Sequence, residues 1–157
     1  MTELKSSPDQ NQITLGPTTM AIARMKDEYY GARIMDEIEG EILVKEIPLE
    51  LIQSLCKTYL CTYEGLRRAT ALVLGYEKKT PILIHSEEGI YTCPTLSPYA
   101  EDCIWLFPRH IKKLEKINST ETKVIFKNNN YITVPVSLHT LEKQIQRTAY
   151  CAFYMKG

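Results

Sequence analysis

Thr122-Lys123-Val124-Ile125-Phe126-Lys127-Asn128-Asn129-Asn130-Tyr131-Ile132-Thr133-Val134-Pro135-Val136 is the stretch on which the fold turns. Residues 122–127 and 131–136 alternate faces, the period-two pattern of strands with one side packed. Three asparagines stand between them, a residue type that tolerates left-handed backbone, so the two strands are predicted to form a hairpin. The period then changes. Leu138, Leu141, Ile145, Ala149 and Ala152 fall at helical spacing, and Ser137 is placed to cap the first turn. The chain is therefore expected to close on a hairpin and a carboxy-terminal helix at about 138–154.

Moving outward toward the amino terminus, strand patterns recur. Residues 111–117 fit a strand or a short helix, and residues 103–107 a strand. Ser86-Glu87-Glu88-Gly89 makes a four-residue loop between predicted strands at 80–85 and 90–93. Residues 70–75 are rich in β-branched and aliphatic side chains and read as a further strand. Before them Pro48 stands at a favoured first-turn position, and Leu49, Ile52, Cys56 and Tyr59 follow at helical offsets, which predicts one internal helix at about 48–60. Apolar stretches at 20–25, 32–38 and 41–45, punctuated by Gly31 and Gly40, predict an antiparallel meander whose intervening acids form a solvated face. Residues 1–12 lack periodicity and are expected to be a disordered lead-in, with 13–157 a single domain. The class is α+β with a mostly antiparallel sheet.

Composition narrows the function. Of 157 residues 44% are apolar, enough for a core, yet no run approaches the roughly 18 residues a membrane helix needs. The first twelve residues are polar, so a cytoplasmic location away from membranes is expected. Cys56, Cys61, Cys93, Cys103 and Cys151 make an odd count at irregular spacing, which suits free, buried thiols in a reducing compartment. The chain has no glycine-rich phosphate loop, no Gly-x-Ser-x-Gly elbow, no His-Glu-x-x-His and no Cys-x-x-Cys. His85, His110 and His139 fall in different elements without a local carboxylate or cysteine arrangement. No catalytic residue, metal or cofactor is expected.

Charge points elsewhere. Nineteen basic residues balance nineteen acids, but residues 1–50 hold five against ten and residues 51–157 fourteen against nine. The second part of the chain is thus the one suited to an anionic partner. Three basic clusters lie in it: Arg67-Arg68 just past Gly65; Arg109, Lys112, Lys113 and Lys116; and Lys143 with Arg147, four apart on the last helix. Each has two readings, a solvated face, which Glu115 favours for the second cluster, or a set of phosphate contacts.

Segments in register resemble one family. They are Lys45-Glu46-Ile47-Pro48-Leu49 leading to Leu55-Cys56, Tyr63-x-Gly65 with basic residues and Thr70, Pro81-Ile82, Pro94-Thr95-Leu96-Ser97, Cys103-Ile104-Trp105, and Pro135-Val136-Ser137 continuing to Leu141-Glu142-x-Gln144-x-x-Arg147-Thr148-Ala149. Over residues 45 to 150 this order and spacing resemble the bacterial competence transcription factors, the ComK family. The resemblance implies that 13–157 is a single DNA-binding domain, cytoplasmic and nucleoid-associated, of an activator of DNA-uptake genes that binds AT-rich double-stranded DNA largely through the minor groove, as a homo-oligomer, with RNA polymerase a further partner. Under it Arg67 and Arg68 are the first candidates for the groove, and Lys112, Lys113, Lys143 and Arg147 for phosphates. Two departures stand out. Leu66 follows Gly65 where the family has a basic residue, which leaves open which arginine enters the groove. Family members also continue past the last helix with a basic tail read by an adaptor and protease, whereas this chain stops at Gly157, so that recognition is not expected. The alternative is a short paralogue that modulates a full-length regulator through protein contacts.

Overall fold

The computed structural model describes residues 15–156, and the predicted lead-in of 1–12 lies outside the described residues. Strands β1 (Thr19–Arg24), β2 (Ala32–Asp36) and β3 (Gly40–Val44) precede helices α1 (Pro48–Thr58) and α2 (Tyr63–Leu74). Strands β4 (Ile82–His85), β5 (Ile90–Pro94) and β6 (Ile104–Leu106) follow, then a 3-10 turn at Pro108–His110. Strands β7 (Ile111–Asn118), β8 (Glu121–Phe126) and β9 (Tyr131–Val134) lead into helix α3 (Leu138–Lys156). The strands form a six-stranded sheet, ordered β3-β2-β1-β6-β5-β4, and a three-stranded sheet, ordered β7-β8-β9, with antiparallel neighbours throughout. The expected α+β class with antiparallel sheets holds.

Pairing of β1 with β6 joins two meanders, and Ile22 sits opposite Trp105 at the junction. Ile22, Ile34 and Trp105 pack with Leu49, Ile52 and Leu55 of α1. Ala21, Ala23, Ile104 and Leu106 belong to a second core with Val124, Phe126, Ile132 and Leu141 from the small sheet and α3. Covering both faces explains why β1 is buried over five consecutive residues and does not alternate. It also corrects the expected solvated face of the first meander. Its exposed acids lie mostly in the turns, Asp27 and Glu28 between β1 and β2 and Glu37 and Glu39 between β2 and β3, while Asp36 is buried and organises the second turn, accepting hydrogen bonds from the Thr18 hydroxyl (2.8 Å) and from the backbone N–H groups of Ile38 (3.0 Å) and Glu39 (2.9 Å).

Two helices, not one, separate β3 from β4. The basic cluster just past Gly65 and the predicted strand at 70–75 are one helix, α2. Its start is set by Thr62, whose hydroxyl accepts from the Gly65 N–H at 3.0 Å, and by Glu64 in the first turn. Gly75, at φ +77°, ends it, its N–H reaching the Ala71 carbonyl at 2.9 Å. Between them stand Leu66, Arg67, Arg68, Ala69, Ala71, Leu72 and Leu74, strong helix formers that outweigh Thr70 and Val73. Leu60, at φ +62°, turns the chain from α1 into α2.

The small sheet follows its pattern closely: Thr122, Val124 and Phe126 of β8 and Ile132 and Val134 of β9 are buried in alternation. Residues 111–118 are a strand at the edge of this sheet, which resolves the helix alternative. The asparagine turn forms as expected, with Asn129 at φ +73° and the Asn130 N–H bonded to the Asn128 side chain at 3.0 Å. The Ser137 hydroxyl accepts from the Thr140 N–H at 3.2 Å and caps α3. The buried stripe of α3 is rotated from the expected one: Leu141, Gln144, Thr148 and Cys151 face inward, and Ala149 faces out. An apolar pattern misses this because two of the four are polar and hydrogen-bonded. The Gln144 amide donates to the carbonyls of Lys79 (2.7 Å) and Pro94 (2.8 Å), and the Thr148 hydroxyl to that of Gln144 (2.8 Å). Among the described residues no helix is long and apolar enough to cross a membrane.

Candidate nucleic-acid interface

Helix α2 is anchored at its first residue. Tyr63 is buried edge-on against Trp105, ring centres 6.2 Å apart, and burial pushes its phenol up to about 12. Beyond this anchor the helix rides high on the sheet, and no other residue of it is fully buried. Arg67 bends back to Glu64 with a 2.9 Å ion pair, and that hydrogen bond holds the Glu64 carboxyl below its ordinary value. Arg68 projects to solvent and makes no ion pair among the described residues.

A cleft of about 600 Å³ opens beside α2, bounded by Tyr63, Glu64 and Arg67 on the helix side, by residues 77–80, and by Ser97, Pro98 and Tyr99. Lys78 and Lys79 enter it opposite Arg67, so three cations face two acids, Glu64 and Glu77. The segment that carries the lysines is held from behind by α3. Arg147 donates to the Lys78 carbonyl at 2.9 Å and lies 4.5 Å over the Tyr76 ring, and Gln144 holds the Lys79 carbonyl one turn earlier. Arg147, expected as a phosphate contact, is thus a clamp on this wall. Lys143, on the preceding turn of α3, is exposed.

Lys112 and Lys113 are not brought to this cleft. They lie on β7, part of the sheet that packs on the opposite face from α1, where Lys112 donates to the Asn129 side chain at 2.9 Å and Lys113 pairs with Glu115 at 3.0 Å. The expected site residues therefore divide into an α2–α3 group and a β7 group. Sequence reading missed Lys78, Lys79 and Tyr99. The adjacent lysines were a visible dibasic pair, but they fall between elements and carry no periodic signal; for Tyr99 no signal existed.

The chemistry open to this surface is anion binding. Burial pushes the thiols of Cys56 and Cys93 up to about 12, so at neutral pH neither is a thiolate nucleophile. His85 accepts the Glu88 N–H at 3.2 Å and His110 contacts the Pro17 carbonyl at 2.7 Å, so each ring is engaged by the chain's own backbone. Cations displayed on a helix and along an open cleft suit an extended polyanion better than a small enclosed ligand.

Comparison with known proteins places this geometry in context. The family described as ComK protein matches residues 10–157, which include α2 and every wall of the cleft. Over 130 residues the chain is 28% identical to the competence transcription factor of Bacillus subtilis (strain 168), an alignment that covers 76% of this chain and 68% of that protein. No solved structure matches.

Proposed function

The chain belongs to the ComK family, and on that premise we propose that it is a regulator of competence-gene transcription that binds AT-rich duplex DNA through α2 and the adjoining cleft. The relative from Bacillus subtilis is named a competence transcription factor, which supports the regulatory role. The observation that carries the reading is the placement of Arg67, Arg68, Lys78 and Lys79 on one helix and the wall beside it. Arg68, exposed and without an ion pair among the described residues, is the residue suited to the narrow, strongly negative minor groove of an A-tract. Arg67, Lys78 and Lys79 are suited to the flanking phosphates, which position the protein without reading sequence. Lys112 and Lys113, set apart on β7, belong to a separate and weaker contact.

Titrating AT-rich and GC-rich duplexes at several salt concentrations tests this. AT-rich DNA should bind more tightly, and log affinity should fall against log salt by about 0.9 for each phosphate neutralised. Replacing Arg67 and Arg68 by alanine should remove most of the binding and leave the thermal midpoint unchanged; replacing Lys112 and Lys113 should have a smaller effect. Salt-independent binding, or a double arginine variant that binds like the parent, would refute the assignment.

A further inference from the structure

Helix α2 leaves apolar side chains uncovered. Leu72 is 86% exposed and Val73 57%, with Ala69 exposed in the turn before them. Residues 68 and 72 are one helical turn apart, so Leu72 shares the outward side with Arg68, while Tyr63 and Leu66 pack toward the sheet. A surface helix ordinarily places charged or polar residues on such a side. Glu64, one turn before Arg68, is the acid nearest this face, and it is tied to Arg67.

We propose that Leu72 is an apolar wedge that enters between two base pairs from the minor groove at a flexible pyrimidine–purine step, next to the point where Arg68 lies in the groove. The inference rests on the reading of α2 as the DNA-binding helix and deepens it. An α-helix with its side chains is about 10–12 Å across, whereas the minor groove is about 6 Å wide, so α2 cannot lie in an undeformed groove. Partial unstacking by an inserted leucine opens the groove, and TA steps, common in AT-rich sites, unstack with the least cost. Four residues span about 6 Å along the helix, which sets the wedge within about two base steps of the arginine. Charge selects duplex DNA as the occupant of this face. An apolar protein partner covering Leu72 would also cover Arg68 without supplying an anion, and desolvating a guanidinium with no anion beside it is unfavourable.

The experiment uses the full chain and an AT-rich duplex carrying 2-aminopurine in place of adenine at a central TA step, whose fluorescence rises when the base unstacks. The parent should raise the signal and bring the duplex ends closer by energy transfer. Leu72→Ala should still bind in a salt-dependent way, about ten-fold more weakly, with both signals lost. Leu72→Met should restore them, and circular dichroism should show both variants folded. A Leu72→Ala variant with parental fluorescence and bending would overturn the wedge while leaving DNA binding by α2 intact. So would unchanged DNA signals together with a changed sedimentation coefficient without DNA, which would make this face a contact between copies. A parent chain that binds no duplex overturns the wedge and the proposed function together.

Discussion

Helices α1 and α2 are consecutive, of nearly equal length (11 and 12 residues), and meet the same sheet in opposite ways. α1 buries Pro48, Leu49, Leu51, Ile52, Leu55 and Cys56, whereas α2 buries only Tyr63. Helix formation is thus common to both, but α1 draws far more of its stability from the core; α2 is held by its caps, one aromatic anchor and the partly buried Leu66. A helix that keeps its apolar and cationic side chains outward is arranged for a partner outside the chain. The contrast can be broken by truncating one side chain in each. Ile52→Ala, at a fully buried position, should cost about 2–5 kcal/mol in urea unfolding. Leu72→Ala should stay within about 0.5 kcal/mol. Similar losses from both would mean that α2 is as much part of the core as α1.

That contrast also marks what the sequence could convey. α1 was legible because Leu49, Ile52 and Cys56 repeat at the spacing of a buried face, and its predicted limits of 48–60 meet the observed Pro48–Thr58. α2 was not, because a helix that fully buries one residue has no apolar stripe to detect, and Leu72 and Val73 point to solvent. Thr62, Glu64 and Gly75 were the legible signs, a cap, a first-turn acid and a terminating glycine, and they were outweighed by the β-branched content of 70–75. The same reason applies to the site: Arg67 and Arg68 were visible as a pair, but the Lys78-Lys79 wall depends on Gln144 and Arg147 holding a distant segment, which no local pattern encodes.

Alkaline pH should act on both helices at once. Burial raises the Cys56 thiol of α1 from 9.0 and the Tyr63 phenol of α2 from 10.0, each to about 12. Both folded-state values lie above the unfolded ones, so the unfolded chain loses these protons first. Their contribution is complete below about pH 9 and is lost as pH rises toward about 12. Thermal midpoints should therefore fall steeply across that window and be flat below it. Cys56→Ala should be less stable at neutral pH yet show a shallower alkaline slope. A parental slope in Cys56→Ala would show that this thiol is not among the groups responsible.

Loosening α2 alone sharpens the comparison at lower energy. Thr62→Ala removes the cap on the Gly65 N–H, and Gly75→Ala places a Cβ at φ +77°, each costing about 1 kcal/mol. Because few core contacts hold α2, the loss should appear as faster amide exchange in residues 63–74 with little change in residues 48–58. Affinity for AT-rich DNA should fall in proportion. Equal acceleration of exchange in both helices would mean that they open as one unit.

The smallest effect is expected at the junction between the helices, where Cys56 and Cys61 differ in the same sense as the elements around them. Cys56 is fully buried on the inner face of α1; Cys61 lies in the linker, half-buried, with its Sγ donating to the Cys56 carbonyl at 3.3 Å. Reaction with a thiol reagent needs both access and the thiolate. Burial denies Cys56 both, and Cys93, Cys103 and Cys151 are also buried with their thiols raised above the ordinary value. Native protein at mildly alkaline pH should thus give one fast equivalent with a disulfide reagent and four slow ones limited by opening of the fold. Cys61→Ser should abolish the fast equivalent with almost no change in stability, since it replaces one weak donor to the Cys56 carbonyl by another. If the fast equivalent survives in Cys61→Ser, the junction is not the most accessible thiol, and the buried wall formed by α1 opens more readily than its packing implies.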